Sequence, residues 1–298
     1  MPDRPSLDRR QLFAGAVIAS LAMTQTAQAQ TASIQSGHAA VDGLDIYYEI
    51  HGGPLTQGVE PFVLLHGGVM AIETSFAGRW LPKLLDLGRP VIAIEQQGHG
   101  HTGIRPGAFT VERAVADSVG VLDHLGVMRA VFVGHSYGGM ISLGLALAHP
   151  GRVAACVPVS SGYRLDGMLP DIAAVQTNPD HPVPPEVAAL FPTEQDFAQW
   201  VAHYNAVNPD PATFMDVLSR MNAMLGAWEG WTDDQLRALT VPTLLIAGDN
   251  DFMRLEHMTA MHDLIPNAQL AILPGTTHMN ILDRGDWVIP MIAARLQA

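Results

Sequence analysis

Ser136 stands in Gly134-His135-Ser136-Tyr137-Gly138, directly after the apolar run "AVFVGH". A serine hydroxyl is a weak nucleophile until a neighbouring base takes its proton. Small residues two positions to either side let a strand and a following helix pass closely, which lifts Oγ out at a sharp bend. Two later segments hold the partners such a serine needs. "LLIAGDNDFM" ends one apolar run with Asp249 and Asp251, and "LPGTTHMNIL" ends the next with His278. In such a set His278 accepts the serine proton and passes it to the leaving group. The acid orients the imidazole and stabilises its charged form. On residue types alone either aspartate fills that place.

These residues need a scaffold that brings three distant segments together. The segment "HAAVDGLDIYYEIHG" alternates around Asp42-Gly43, which predicts a β-hairpin. Further strands are expected at 61–66, 90–96, 130–135, 153–160, 241–249 and 268–275. Helices are expected at 74–87, 110–126, 137–150, 254–265 and about 281–297. Thr110 can cap the second of these, with Arg113 rather than Glu at the position that would complete a capping box. Strands alternating with helices predict a mostly parallel central sheet covered by helices on both faces, an α/β fold.

Residues 162–232 break that rhythm. A loop-like "NPDHPVPPEV" precedes helical stretches near 194–206 and 212–228, rich in Met and Trp. An insertion of helices between two strands predicts a helical cap over the ends of the sheet. Most of its Met and Trp residues are expected to form the cap's own core. Others, Met221 and Trp228 among them, are expected to face an apolar substrate pocket together with Val69 and Met70, because flexible thioethers adapt to varied apolar ligands.

With nucleophile, acid and histidine in that chain order, the sequence resembles the α/β-hydrolase superfamily over essentially all of residues 38–298. The resemblance implies that the acid is the last residue of a G-x-x-D turn, here Asp251 in Gly248-Asp249-Asn250-Asp251, with Asp249 a secondary candidate. It implies an oxyanion hole from the backbone N–H of Tyr137 and of Gly68, the position after His66-Gly67, with Val69 as runner-up. His66 is expected to be structural. "EQQGHGHT" (95–102) resembles the family's loop after the next strand, with Gln97 where Arg is frequent and Thr102 in place of Ser. A metal site from His99 and His101 is the alternative there. Two histidines flanking a glycine are a poor ligand set without nearby carboxylates, so neither metal nor cofactor is expected.

The 298 residues, 48% hydrophobic, suffice for a large core. A formal charge of −13 argues against a nucleic-acid surface. The N-terminus differs from the rest: Arg9-Arg10, an apolar run from Leu12 to Met23, then Ala27-Gln28-Ala29. That is the order of a cleavable signal peptide at 1–29, and the arginine pair resembles a twin-arginine export signal. The apolar run is too short to span a bilayer. A periplasmic or secreted protein, handed to the twin-arginine export machinery and without a stable membrane anchor, is therefore expected. Cys156, the single cysteine, falls in a strand and is expected to be inert core.

The expected domain plan is 1–29 signal, 30–161 with 233–298 as the α/β core, and 162–232 as the cap. A serine nucleophile argues against dehalogenase or epoxide-hydrolase chemistry, whose relatives carry aspartate there. The resulting expectation is a serine hydrolase acting on a small-molecule ester or lactone, apolar and small to medium in size. Relatives with the same triad cleave carbon–carbon bonds, release N-terminal proline or make peracids, and a non-catalytic ligand-binding protein could retain the pocket.

Overall fold

The computed structural model describes residues 34–178 and 180–297. The expected export signal at 1–29 lies outside the described residues. Eight strands form one sheet in the order β1-β2-β4-β3-β5-β6-β7-β8. They are β1 (Gln35–Val41), β2 (Leu44–His51), β3 (Phe62–Leu65), β4 (Val91–Ile94), β5 (Ala130–His135), β6 (Val153–Val159), β7 (Thr243–Asn250) and β8 (Ala268–Thr277). From β4 to β8 all neighbours are parallel, while the β1–β2 hairpin joins antiparallel at one edge. Its turn is Asp42-Gly43, both residues at positive φ, as a tight hairpin turn requires.

The short central strands are buried at every position, and apolar apart from His135 at the end of β5, because helices cover both faces. One face carries α3 (Val111–His124), α4 (Tyr137–Ala148) and α10 (Leu255–Leu264), packed on residues such as Val63, Ile92 and Phe132. The other carries α1 (Ile72–Ser75), α2 (Leu81–Leu85) and α11 (Gly285–Arg295), packed on Leu64, Ala93 and Val133. Thr110 caps α3 by accepting from the N–H of Arg113. Cys156 is fully buried in β6, and burial pushes its thiol pKa up.

The helix expected over 74–87 is two short pieces instead. Gly78 turns the chain at positive φ, and Pro82, which lacks an N–H, sits in the first turn of α2. A proline fits there because that N–H has no intrahelical acceptor in any case.

Between β6 and β7 lies the helical insertion: α5 (Pro170–Thr177), α6 (Pro185–Ala188), α7 (Glu194–Val207), α8 (Phe214–Ala227) and α9 (Asp233–Arg237). The α7 and α8 spans agree with the two helical stretches expected there. Tyr204, Met221 and Met224 from these helices join the core on the α3–α4 face. The short α9 lies past 232 and packs on α10 of the core. Among the described residues no helix is long and apolar enough to cross a membrane.

Candidate active site

Ser136 follows the last residue of β5 and caps α4 with φ 53° and ψ −114°, a conformation that non-glycine residues rarely adopt. Its own N–H donates to Val159 O at 2.8 Å, which ties the bend to β6. The glycines on either side are demanded by contact. A Cβ on Gly134 would overlap the backbone of Gly138, and one on Gly138 would overlap the carbonyl of Leu65. Backbone strain held this tightly is characteristic of functional positions.

His278, just beyond β8, places Nε2 at 2.9 Å from Ser136 Oγ and Nδ1 at 2.7 Å from Asp251 Oδ1. The Nδ1–H faces the carboxylate, so Nε2 is free to accept the serine proton. Phe252 stacks flat on the imidazole at 4.0 Å between centroids, and His135 Nε2 donates to the carbonyl of His278 at 2.8 Å. Asp251 is buried and receives Ser160 Oγ at 2.5 Å and the N–H of Phe252 at 2.7 Å. Burial alone would raise its pKa. The His278 imidazole and the hydrogen bonds from His278, Ser160 and Gly248 outweigh that and hold the carboxyl below its usual range.

The two aspartates of the β7 turn differ by geometry. Asp249 is exposed, and its Oδ1 accepts the N–H of Thr276, tying β7 to β8. Asp251, two residues on, reaches His278. Ser160 had no signal of its own in the sequence. Only the sheet order, with β6 between β5 and β7, brings its hydroxyl to the carboxylate.

The loop after β3 faces Ser136. Its backbone donors divide cleanly. Val69, at φ 56°, donates its N–H to His99 Nε2 at 2.9 Å. The N–H groups of Gly68 and Tyr137 have no acceptor among the described residues; for Tyr137 this follows from its place in the first turn of α4. His99 is buried, which pushes its pKa down to about 4 and keeps it neutral. Its Nδ1 donates to Gln97 O at 2.9 Å, and this leaves Nε2 as the acceptor for Val69. His66 does the same work one layer deeper. Nδ1 donates to Gly67 O at 2.8 Å, and Nε2 accepts the N–H of Gln96 at 3.2 Å. Thr102 holds the facing loop, donating to Glu95 O and accepting from the N–H of Tyr47. The sequence did not reveal the part of His99, since the contact depends on how two loops meet.

Ser136 opens into a cavity of about 180 Å³ between sheet and cap. Val69, Met70, Met221 and Trp228 all line it, as do Ser136, Tyr137 and His278. Six methionines reach the wall: Met70, Met140, Met168, Met221, Met253 and Met279. Arg164, Gln176 and Asn222 supply the long polar side chains there. Arg164 is already paired with Asp166 and Asp233. A larger cleft, of about 770 Å³, lies on the other side of α8 against Phe109 and Arg220 and does not reach Ser136.

Residues 60–285 match the family described as alpha/beta hydrolase fold. The chain belongs to the alpha/beta hydrolase fold family. This alpha/beta hydrolase is 30% identical over 253 residues to a protein of Azorhizobium caulinodans named "Putative carbamate hydrolase RutD", covering 78% of this chain and 88% of that one. Among solved structures it resembles "Est816 as an N-Acyl homoserine lactone degrading enzyme", with 28% identity, 86% and 99% coverage and a TM-score of 0.67. It also resembles the proline iminopeptidase of Mycobacterium smegmatis, with 22% identity, 88% and 98% coverage and a TM-score of 0.65; at that identity the likeness concerns the fold alone.

Proposed function

We propose that this alpha/beta hydrolase is an exported serine hydrolase that cleaves carboxylic ester or lactone bonds of small to medium apolar substrates. Ser136 is the nucleophile, His278 the general base and then acid, and Asp251 the residue that orients His278. Ser136 Oγ attacks the substrate carbonyl as its proton passes to His278 Nε2. The oxyanion forms against the free N–H groups of Gly68 and Tyr137, donors of a kind worth about 3–4 kcal/mol each in the transition state. His278 then protonates the leaving alcohol, and water releases the acyl group by the same route reversed.

The observation that carries this reading is the continuous chain Ser136 Oγ–His278 Nε2 and His278 Nδ1–Asp251 Oδ1, at 2.9 and 2.7 Å, opening into a methionine-lined cavity. The apolar wall favours a neutral acyl group, and the likeness to a lactone-degrading enzyme supports cyclic esters. Export rests on the arrangement of Arg9-Arg10, the apolar run and Ala27-Gln28-Ala29. The RutD relative supports a second reading on the same machinery, attack on a carbamate carbonyl.

Turnover of the chain lacking residues 1–29 across p-nitrophenyl esters of graded acyl length, acyl lactones and carbamates tests the assignment. Turnover of esters or lactones above carbamates is expected. The reverse order would replace the ester reading with the carbamate one.

A further inference from the structure

A second group of titratable residues lies where the core meets the cap, apart from the serine site. Glu95, directly after β4, is fully buried. Its Oε2 accepts both the N–H of His101, at 2.5 Å, and His101 Nδ1, at 3.0 Å, while Oε1 is buried with no partner. Glu73 of α1 adds a second carboxylate. One donor atom from each of Glu73, Glu95 and His101 lies within 4.8 Å of the other two. From α7 of the cap, His203 Nε2 comes to 3.1 Å from Glu73 Oε2. The two are misaligned for a hydrogen bond, and both atoms are buried and unpartnered. Glu95 stands only six residues before His101 in the same stretch, and the fold adds Glu73 from α1, whereas His99 is turned away to Val69.

Two close carboxylates, one of them wholly buried, cannot both stay ionised without a neutralising cation; burial and Glu73 push the Glu95 pKa up, and a bound cation would hold both ionised. His101 answers only part of that charge, and only while protonated. We propose that Glu73, Glu95 and His101, joined by His203, bind a divalent transition-metal ion of the zinc class and tie α7 to the core. Two carboxylate oxygens and two imidazole nitrogens suit Zn²⁺ or its neighbours, whereas Ca²⁺ and Mg²⁺ prefer all-oxygen sets. Around a tetrahedral ion with bonds of about 2.0–2.1 Å, donors lie roughly 3.3 Å apart, so the three core donors draw in from within 4.8 Å of one another, and His203, which stands outside that group at 3.1 Å from Glu73, swings in from α7 as the fourth. Binding requires both imidazoles to be neutral, so affinity rises with pH. Tyr47, stacked on His101 at 4.1 Å, holds that ring in place.

The test uses the full chain, stripped with EDTA and dialysed, then titrated separately with Zn²⁺, Mn²⁺ and Ca²⁺ by calorimetry and thermal melting. We expect one saturable Zn²⁺ per chain and a rise of roughly 5 °C in Tm at a hundredfold excess over Kd. Amide exchange across 194–207 should slow with the ion bound. Glu95→Gln disturbs the loop it supports, so the deciding variants are Glu73→Gln and His203→Gln, at partly exposed positions. Each should weaken Zn²⁺ at least tenfold and keep the metal-free melting curve. No saturable binding, binding unchanged in both variants, preference for Ca²⁺, or unaltered exchange in 194–207 would each overturn the proposal.

Discussion

The backbone N–H of Val69 is spent on His99 Nε2, 2.9 Å distant. That contact commits one donor of the loop and leaves its neighbour, Gly68, free. It depends on a neutral His99, which burial secures, and on a valine held at positive φ. Replacing His99 with alanine removes the acceptor and frees the loop to relax. The expected result is a fall in kcat of roughly 10- to 100-fold with KM little changed, since a misplaced oxyanion donor acts on the transition state. An equal loss carried in KM would place His99 in substrate binding instead.

Asp251 and Asp249 separate by a single measurement. Asp251→Asn removes the charge that holds the His278 tautomer and should lower kcat by about 10³- to 10⁴-fold, the scale expected for an orienting carboxylate. Asp249→Asn, at an exposed position, should stay within about threefold. Steady-state kinetics of both, with circular dichroism to confirm folding, checks the assignment; comparable losses would contradict it.

Gly68 and Met221 define how much room lies above the serine. A Cβ on Gly68 would meet the Met221 methyl at 3.0 Å, tighter than an ordinary contact. Gly68→Ala should therefore lower kcat/KM several-fold, and Met221→Ala should restore part of it in the double variant. Met221→Ala alone should shift the preferred acyl chain toward longer esters. The double-mutant cycle across an ester series measures this coupling.

Buried neutral histidines predict the acid limb of stability. Burial lowers His99 and His257 to about 4 and moves His66 and His135 down as well. An unfolded histidine titrates near 6.5. Between that value and 4 the unfolded chain binds more protons, so acid favours unfolding. Stability should be full above about pH 6.5 and decline toward pH 4, each histidine adding a slope of about 1.4 kcal/mol per pH unit. Denaturant melts from pH 7.5 to 4 measure the total slope, and His257→Gln should reduce it. A flat profile would show that these rings are protonated in the native state.

Much of this arrangement was legible because the sequence carries it locally. Asp42-Gly43 announces its hairpin, the apolar runs announce buried strands, and Gly134 and Gly138 announce a crowded bend at Ser136. The choice of Asp251 came from the family's turn pattern, since residue types alone left both aspartates open. What stayed hidden depends on contacts between segments far apart in the chain. Ser160 meets Asp251 only because β6 lies between β5 and β7, and His99 meets Val69 only when two loops close on each other. The expected helix at 74–87 failed for a local reason: Gly78 and Pro82 divide it, and packing on the sheet stabilises the two short pieces.

The central claim is that His278 and Asp251 activate Ser136 for attack. Intact-mass measurement after exposure to a fluorophosphonate probe tests it most directly. One adduct per chain is predicted, mapped by peptide sequencing to Ser136, absent in Ser136→Ala and strongly slowed in His278→Ala. A folded chain that takes up no probe, or that is labelled at full rate in Ser136→Ala, would contradict it.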